Sequence, residues 1–345
     1  MTPQGDERSW DRGTSAGRTY GTDGSTRAPA ALGESVAAIR RRYGARERPG
    51  SISTGSGPLD HALGGGWPRG GISELSGDVG TGKSTLALCA AAWVLEQGGA
   101  VAWIDAEGAF PAGLARSLDA WKALGGPAQT THARLAIVPP DAGEVLYAIA
   151  CDLAASGAVD LIVLDSAAAI DAVEGDARGQ RDDDARYRLH GEAASRLAHL
   201  VSETGATFLA IDQRRDRPGA AFGPRDRPAA GRSLGQAAAV RVALEPIEDL
   251  VGGGRRIGQS VLARVVAHRY GAATTVARLA LRDGRGPWHA WDLVERALRH
   301  GLTAREVGGA GLAASDPLAR ARLVDALESD PERAAALAAR LDEIP

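Results

Sequence analysis

From Ile52 onward, short apolar runs alternate with longer stretches whose apolar residues recur at helical spacing. "ISELS" leads into a glycine-rich loop, and "STLALCAAAWVLEQGG" then reads as a helix closed by glycines. "AVAWIDAE" and "ARLAIVPP" read as strands, "AGEVLYAIACDLAASG" as a helix, and "VDLIVLDS" as a strongly apolar, buried strand. A longer helix is predicted from about Asp184 to Thr204, followed by the strand "TFLAIDQ". Strands separated by helices argue for a mainly parallel sheet covered on both faces. Beyond Leu234 the pattern changes. "AAVRVALEPI", "QSVLARVVAHRY" and "TTVARLALRD" are strands joined by glycine-rich turns, which suits antiparallel additions to the sheet edge.

Upstream, residues 1–30 carry no apolar run and are rich in Gly, Ser, Thr and charge, so they read as a disordered arm. Within 31–50, Leu32 to Tyr43 has helical spacing and a basic end, which predicts a short helix and a linker. The α/β core then spans 51–286. From 287 to 345 the chain turns helical and alanine-rich, predicting a small α-rich C-terminal domain.

The chain has 345 residues, 44% apolar and 24% charged, with a net charge of −3. That charge gives no argument for nucleic acid, so any such binding rests on a local patch. Cys89 and Cys151 lie far apart in apolar helical stretches, which argues against a disulfide framework or a zinc site and fits a reducing compartment. No segment approaches the roughly eighteen apolar residues that span a bilayer, and the N-terminus has no signal-peptide core. A cytoplasmic protein is expected.

The chemistry begins at "GDVGTGKST", comprising Gly77, Asp78, Val79, Gly80, Thr81, Gly82, Lys83, Ser84 and Thr85. It fits G-x-x-x-x-G-K-[ST] between a strand and a helix. The glycines let backbone N–H groups wrap phosphate oxygens, and the helix aims its positive end at them. Lys83 is expected to reach the outer phosphates, and Ser84 to bind Mg²⁺. Asp165, ending "VDLIVLD", is placed to be a second Mg²⁺ ligand, with a strand-end capping aspartate as the alternative. Glu107 follows the next strand in sequence and could face the γ-phosphate and deprotonate a water. Asp105 shares the facing of that strand and competes for the role.

These residues resemble those of the bacterial RecA recombinase family. "SISTGSGPLDHALGGGWPRGGISELSG" is similar to the family segment before its phosphate loop, "WIDAEGAF" to its "FIDAEHAL", and "VDLIVLDSAAAI" to its "VDVIVVDSVAAL". The likeness runs from about residue 32 to "SDPERAAALAARL", similar to the closing helix of the family. It implies a RecA-like P-loop NTPase core that takes ATP and Mg²⁺. It places water activation on Glu107 and Mg²⁺ on Ser84 and Asp165. Gln213 becomes the γ-phosphate sensor, relaying its state to a DNA-binding loop from Arg214 to Arg232. That loop holds Arg214, Arg215, Arg217, Arg225, Arg227 and Arg232 against two aspartates, a surplus of four positive charges, and its Pro and Gly predict irregular structure. The bland alternative is a solvated basic loop.

The departures from the family are specific. Its adenine-stacking tyrosine aligns with Leu114 and its adenine-contacting aspartate with Pro111. Of two lysines that reach a neighbouring subunit's nucleotide, one aligns with Ala267 and the other with Arg269. A phenylalanine central to subunit coupling aligns with Gln236. The first DNA loop, around Asp171 to Arg186, contains three aspartates at 182–184 that repel phosphate, while Arg188 matches a basic family position.

The resemblance implies a DNA-dependent ATPase acting as a recombinase. Such a protein assembles as a homo-oligomeric helical filament on single-stranded DNA and pairs it with homologous duplex DNA. The departures support a second reading, a RecA-like ATP-binding regulator or mediator of repair. A ring ATPase of the DnaB or KaiC type, or an Sms-type repair ATPase, is a third. "HRYGAATT" faintly resembles the Sms type, but there is no CxxC pair, and "DAEGAF" counts against it.

Overall fold

The computed structural model describes residues 50–123, 134–141, 143–169, 183–216, 226–228, 231–271, 276–307 and 317–343. The expected N-terminal arm, the helix at Leu32–Tyr43 and most of the first DNA loop lie outside them. Residues 48–345 form one compact unit.

Its centre is a sheet of ten strands among the described residues. Five parallel strands, β3 (Ile72–Gly77), β4 (Val101–Asp105), β5 (Leu135–Val138), β6 (Leu161–Asp165) and β7 (Thr207–Asp216), stand in the order β3-β7-β6-β4-β5. On the other side of β3, β9 (Val240–Gly252) is also parallel. It turns back antiparallel into β10 (Arg255–His268), β11 (Val276–Arg282) and β12 (Gly286–Pro287). A separate small ladder pairs β1 (Ser51–Ile52) with β2 (Trp67–Pro68).

The strand alternation shows directly why the pattern was legible. Successive side chains point to opposite faces. Trp103, Leu161, Val163, Leu209 and Ile211 therefore join one core cluster, while Ala102, Ile104, Ile162, Leu164, Phe208 and Ala210 join a second on the other face. The first face is covered by the helix Lys83–Glu96, whose side chains are buried nearly all round, as expected of a helix apolar on every side. The second is covered by Gly143–Ser156 and Asp183–Thr204, through Leu146, Tyr147, Leu197 and Val201. Cys89 and Cys151 are both free and buried, one in each cluster.

The C-terminal helices His289–Arg299, Ala304–Val307, Pro317–Ser329 and Pro331–Asp342 share a third cluster, which takes in Leu250 of β9 and Ala280 of β11. The start of the last helix was written in "SDPER". Asp330 accepts from the Arg333 amide at 3.0 Å, and Pro331 occupies the first turn, where its missing N–H costs nothing.

One expectation is corrected. The arginine loop is not irregular throughout, because β7 runs on through Arg214 and Arg215 to Asp216 and pairs antiparallel with β8 (Asp226–Pro228). Arg214 stands opposite Pro228, Arg215 opposite Arg227, and Asp216 opposite Asp226. Pro228 is tolerated because it closes the ladder at an edge. Arg232 then falls in the helix Gly231–Ala237.

Candidate functional site

The C-terminal ends of the parallel strands carry Gly77, Asp105, Asp165 and Gln213, at the edge where open α/β sheets have their binding crevice. Gly77 closes β3, and the ladder sets it beside Gln213 on β7 and Leu244 on β9. Asp105 stands beside Asp165 at the ends of β4 and β6. Four carboxylates (Asp105, Glu107, Asp165 and Asp212) thus converge near the loop.

Asp78, Val79 and Gly80 form the exposed tip of the phosphate loop. Thr81 folds under it, its hydroxyl donating to the Asp78 carbonyl at 2.8 Å. Gly82 has φ of +93°, in the left-handed region, and a Cβ there would lie 2.1 Å from Leu281 Cδ1. Only glycine fits. Lys83 is buried, its ammonium donating to the carbonyls of Gly77 at 2.8 Å and Asp78 at 2.7 Å. Burial pushes its pKa down, opposed by the negative charges of Asp165, Asp78, Asp212 and Glu107.

Ser84 Oγ donates to Asp165 Oδ2 at 3.1 Å. Burial raises the Asp165 carboxyl to about 6, the Ser84 hydrogen bond lowering it and neighbouring Glu107 and Asp105 adding to the rise. Among the described residues no group of three or more His, Cys, Asp or Glu could hold a metal by itself. A hydroxyl beside one desolvated carboxylate instead suits Mg²⁺, which takes its other ligands from phosphate and water.

Asp105 and Glu107, equivalent by strand facing, differ in their hydrogen bonds. Asp105 is buried and both its oxygens are engaged locally, accepting from the amides of Ala109 at 2.9 Å and Phe110 at 2.7 Å. Glu107, exposed just past the strand, accepts from Ser166 Oγ at 2.5 Å and Gln213 Nε2 at 2.9 Å, both on Oε1. Gln213 and Glu107 thus meet although they stand 106 residues apart in sequence.

A cavity of about 330 Å³ lies against the loop. Gly80, Gly82, Lys83, Ser84, Thr85 and Leu114 form one wall of it. Its other wall, which no motif marks, is Arg256, Gln259, Leu281, Arg282 and Asp283 from the β10–β11 region. Gln259 Nε2 donates to the Gly80 carbonyl at 2.6 Å, tying β10 to the loop tip. Arg256 bridges Asp249 at 2.9 Å and Asp283 at 3.6 Å. Arg282 pairs with Glu328 at 2.7 Å and lies over the Trp288 ring. The only local signal was the "RDGRG" turn, which does not say what it faces.

Arg269 is not part of this cavity. β10 runs antiparallel to β9, so His268 stands beside Val240, and Val240 beside Ser73 near the start of β3. From Ser73 to Gly77 is about 13 Å at about 3.3 Å per residue, beyond an arginine's reach. The Arg269 guanidinium instead donates to the backbone carbonyl of Gln236.

Arg214 and Arg215 lie on β7, Arg227 on β8 and Arg232 on the helix that follows. Arg188 sits in the second turn of the helix Asp183–Thr204, whose first two residues are Asp183 and Asp184. Arg217 and Arg225 lie outside the described residues.

A glycine-rich loop between a buried strand and a helix, with a serine and a strand-end aspartate beside it, defines a P-loop ATPase with a doubly covered sheet. The sequence model of the RecA N-terminal domain matches residues 35–286. Protein RecA of Chlorobaculum parvum is 31% identical over 256 residues, 73% of this chain and 71% of its own length. Protein RecA of Leifsonia xyli subsp. xyli is 34% identical over 258 residues, 74% of this chain and 69% of its own. That of Synechococcus elongatus is 32% identical over 273 residues, 78% of this chain and 74% of its own. The chain belongs to the RecA family, as a divergent member. It is a RecA-like ATPase of DNA recombination and repair. The family match ends at residue 286, before the C-terminal helices.

Proposed function

We propose that this chain hydrolyses ATP at the loop of residues 77–85 and uses the nucleotide state to control a single-strand-binding loop beginning at Arg214. The observation that carries this is the Gln213–Glu107 hydrogen bond of 2.9 Å. In this reading Glu107 takes a proton from water, and Gln213 is the last residue before the arginines on the same strand. A change at Glu107 therefore reaches Arg214 and Arg215 through one rigid element. Lys83 exchanges its loop carbonyls for phosphate oxygens as a point charge. Ser84 and Asp165 hold Mg²⁺, which supplies charge neutralisation at the phosphates. Leu114 packs the base.

The partners that fit are single-stranded DNA, homologous duplex DNA and further copies of this chain in a helical filament. Arg269, remote from its own loop, then faces a neighbour's nucleotide. The cytoplasm is the compartment we assign; among the described residues no helix is long and apolar enough to cross a membrane.

ATPase assays with and without single-stranded DNA, paired with fluorescence anisotropy of a labelled oligonucleotide, test this reading. ATP analogue should tighten DNA binding relative to ADP. The slope of log affinity against log salt should be roughly −2 to −3, at about −0.7 for each of three or four phosphates neutralised. Glu107→Gln should keep nucleotide binding and lose on the order of 10² to 10⁴ in turnover. Leu114 in place of an aromatic ring favours the mediator reading, and DNA affinity indifferent to nucleotide would decide for it.

A further inference from the structure

The Glu107 carboxylate has a second partner that no phosphate-loop motif calls for. Ser166 directly follows Asp165, is 1% exposed, and donates its hydroxyl to Glu107 Oε1. We propose that Ser166 is a positioning residue for hydrolysis, fixing the rotamer of Glu107 so that its other oxygen faces the attacking water.

Glu107 lies two residues beyond the end of β4, in an exposed turn, where nothing on its own element restrains the side chain. A glutamate there has three rotatable bonds, and holding it in one geometry costs side-chain entropy. The restraint has to come from a rigid neighbour. Ser166 qualifies, because its backbone leaves β6, whose residues Leu161–Leu164 are buried on both faces of the sheet. The Ala106 amide donates to the Asp165 carbonyl at 2.9 Å, which locks the two turns together one residue before each side chain. The Ala169 amide closes onto the Ser166 carbonyl at 3.0 Å.

Gln213, the other donor to Oε1, is half-exposed and opens into the arginine strand. The two donors differ in what holds them: one is fixed by the core and the other is connected to the loop. Both hydrogen bonds fall on Oε1, so Oε2 takes no hydrogen bond among the described residues. Ser166 therefore defines which oxygen is free, whatever state Gln213 is in.

The proposal rests on Glu107 acting as the base, and a double-mutant cycle separates the two claims. Single-turnover and steady-state ATPase rates are measured for the full chain, Ser166→Ala, Glu107→Gln and the double variant. Ser166→Ala should lower kcat about ten- to a hundredfold, the size of one hydrogen bond to a charged group. KM for ATP and the half-saturating Mg²⁺ concentration should stay within about twofold, since binding is untouched. In the Glu107→Gln background the same change should cost nothing further. Equal losses in both backgrounds, a loss carried by KM or by Mg²⁺ dependence, or no loss at all would overturn the proposal. Ser166→Gly, which also lacks the hydroxyl, takes the place of alanine if that variant does not fold. Near-normal turnover in Glu107→Gln alone would instead remove the base assignment itself.

Discussion

Asp292 offers a test of how the C-terminal helices are held to β11. It is buried in the first turn of His289–Arg299, and Oδ1 accepts from the Ala280 amide of β11 at 2.9 Å while Oδ2 has no partner. Burial raises its carboxyl from 3.8 to about 8; the Ala280 bond and nearby Arg299 lower it, and Glu295 raises it further. A pKa raised in the folded state makes the protonated carboxyl the stable native form. Its stabilising contribution is complete below pH 4 and is lost as pH climbs to about 8. One proton separates folded from unfolded chain across that window, which amounts to about 1.4 kcal/mol per pH unit. Asp292→Asn keeps an acceptor for Ala280, puts an amide where the orphan oxygen stands, and does not titrate. Urea denaturation of both proteins at several pH values should show the variant gaining on the parent by about 1.4 kcal/mol per unit between pH 5 and 8, about 4 kcal/mol in all, with a plateau above. The comparison cancels the titrating groups that do not interact with Asp292. Parallel stability curves would show that Asp292 ionises in the folded protein and that the reasoning is wrong. β11 also brings Leu281 and Arg282 to the cavity, so nucleotide affinity of the parent should weaken over the same window.

Two further outcomes follow from the geometry. Gly82→Ala meets both positive φ and the Leu281 methyl, so it should weaken nucleotide binding by about 1–3 kcal/mol or more; Gly80→Ala, with open space around its Cβ, carries the strain alone and should cost less. Titration with a fluorescent nucleotide ranks the two, and equal or reversed losses would discard the Leu281 contact as a constraint. Mixing Arg269→Ala subunits with Glu107→Gln subunits should restore some ATPase activity, because composite sites pair an intact base with an intact neighbouring arginine. Absence of complementation at every mixing ratio would return Arg269 to its own subunit.

The strand–loop–helix around Lys83 and the buried strands carrying Asp105 and Asp165 were readable in the chain because each is encoded locally. Alternation sorts β4, β6 and β7 onto two faces, and a glycine-rich loop before an apolar helix needs no distant partner. What no local pattern expresses is which polar atoms meet. Asp105 and Glu107 are equivalent by strand facing, and only folding shows one capping the Ala109–Phe110 amides while the other meets Ser166 and Gln213. The ends of the arginine loop read as irregular from their Pro and Gly, yet they pair because β7 extends past its buried section and offers an edge. The far wall of the cavity beside the phosphate loop comes from an antiparallel excursion some 180 residues downstream of the loop, as the Gln259–Gly80 bond records. The distance between Arg269 and its own phosphate loop likewise follows from the direction of β10, set by its pairing with β9. Sequence periodicity fixes burial, a property of each residue, whereas hydrogen-bond partnership belongs to pairs that the sheet order alone brings together.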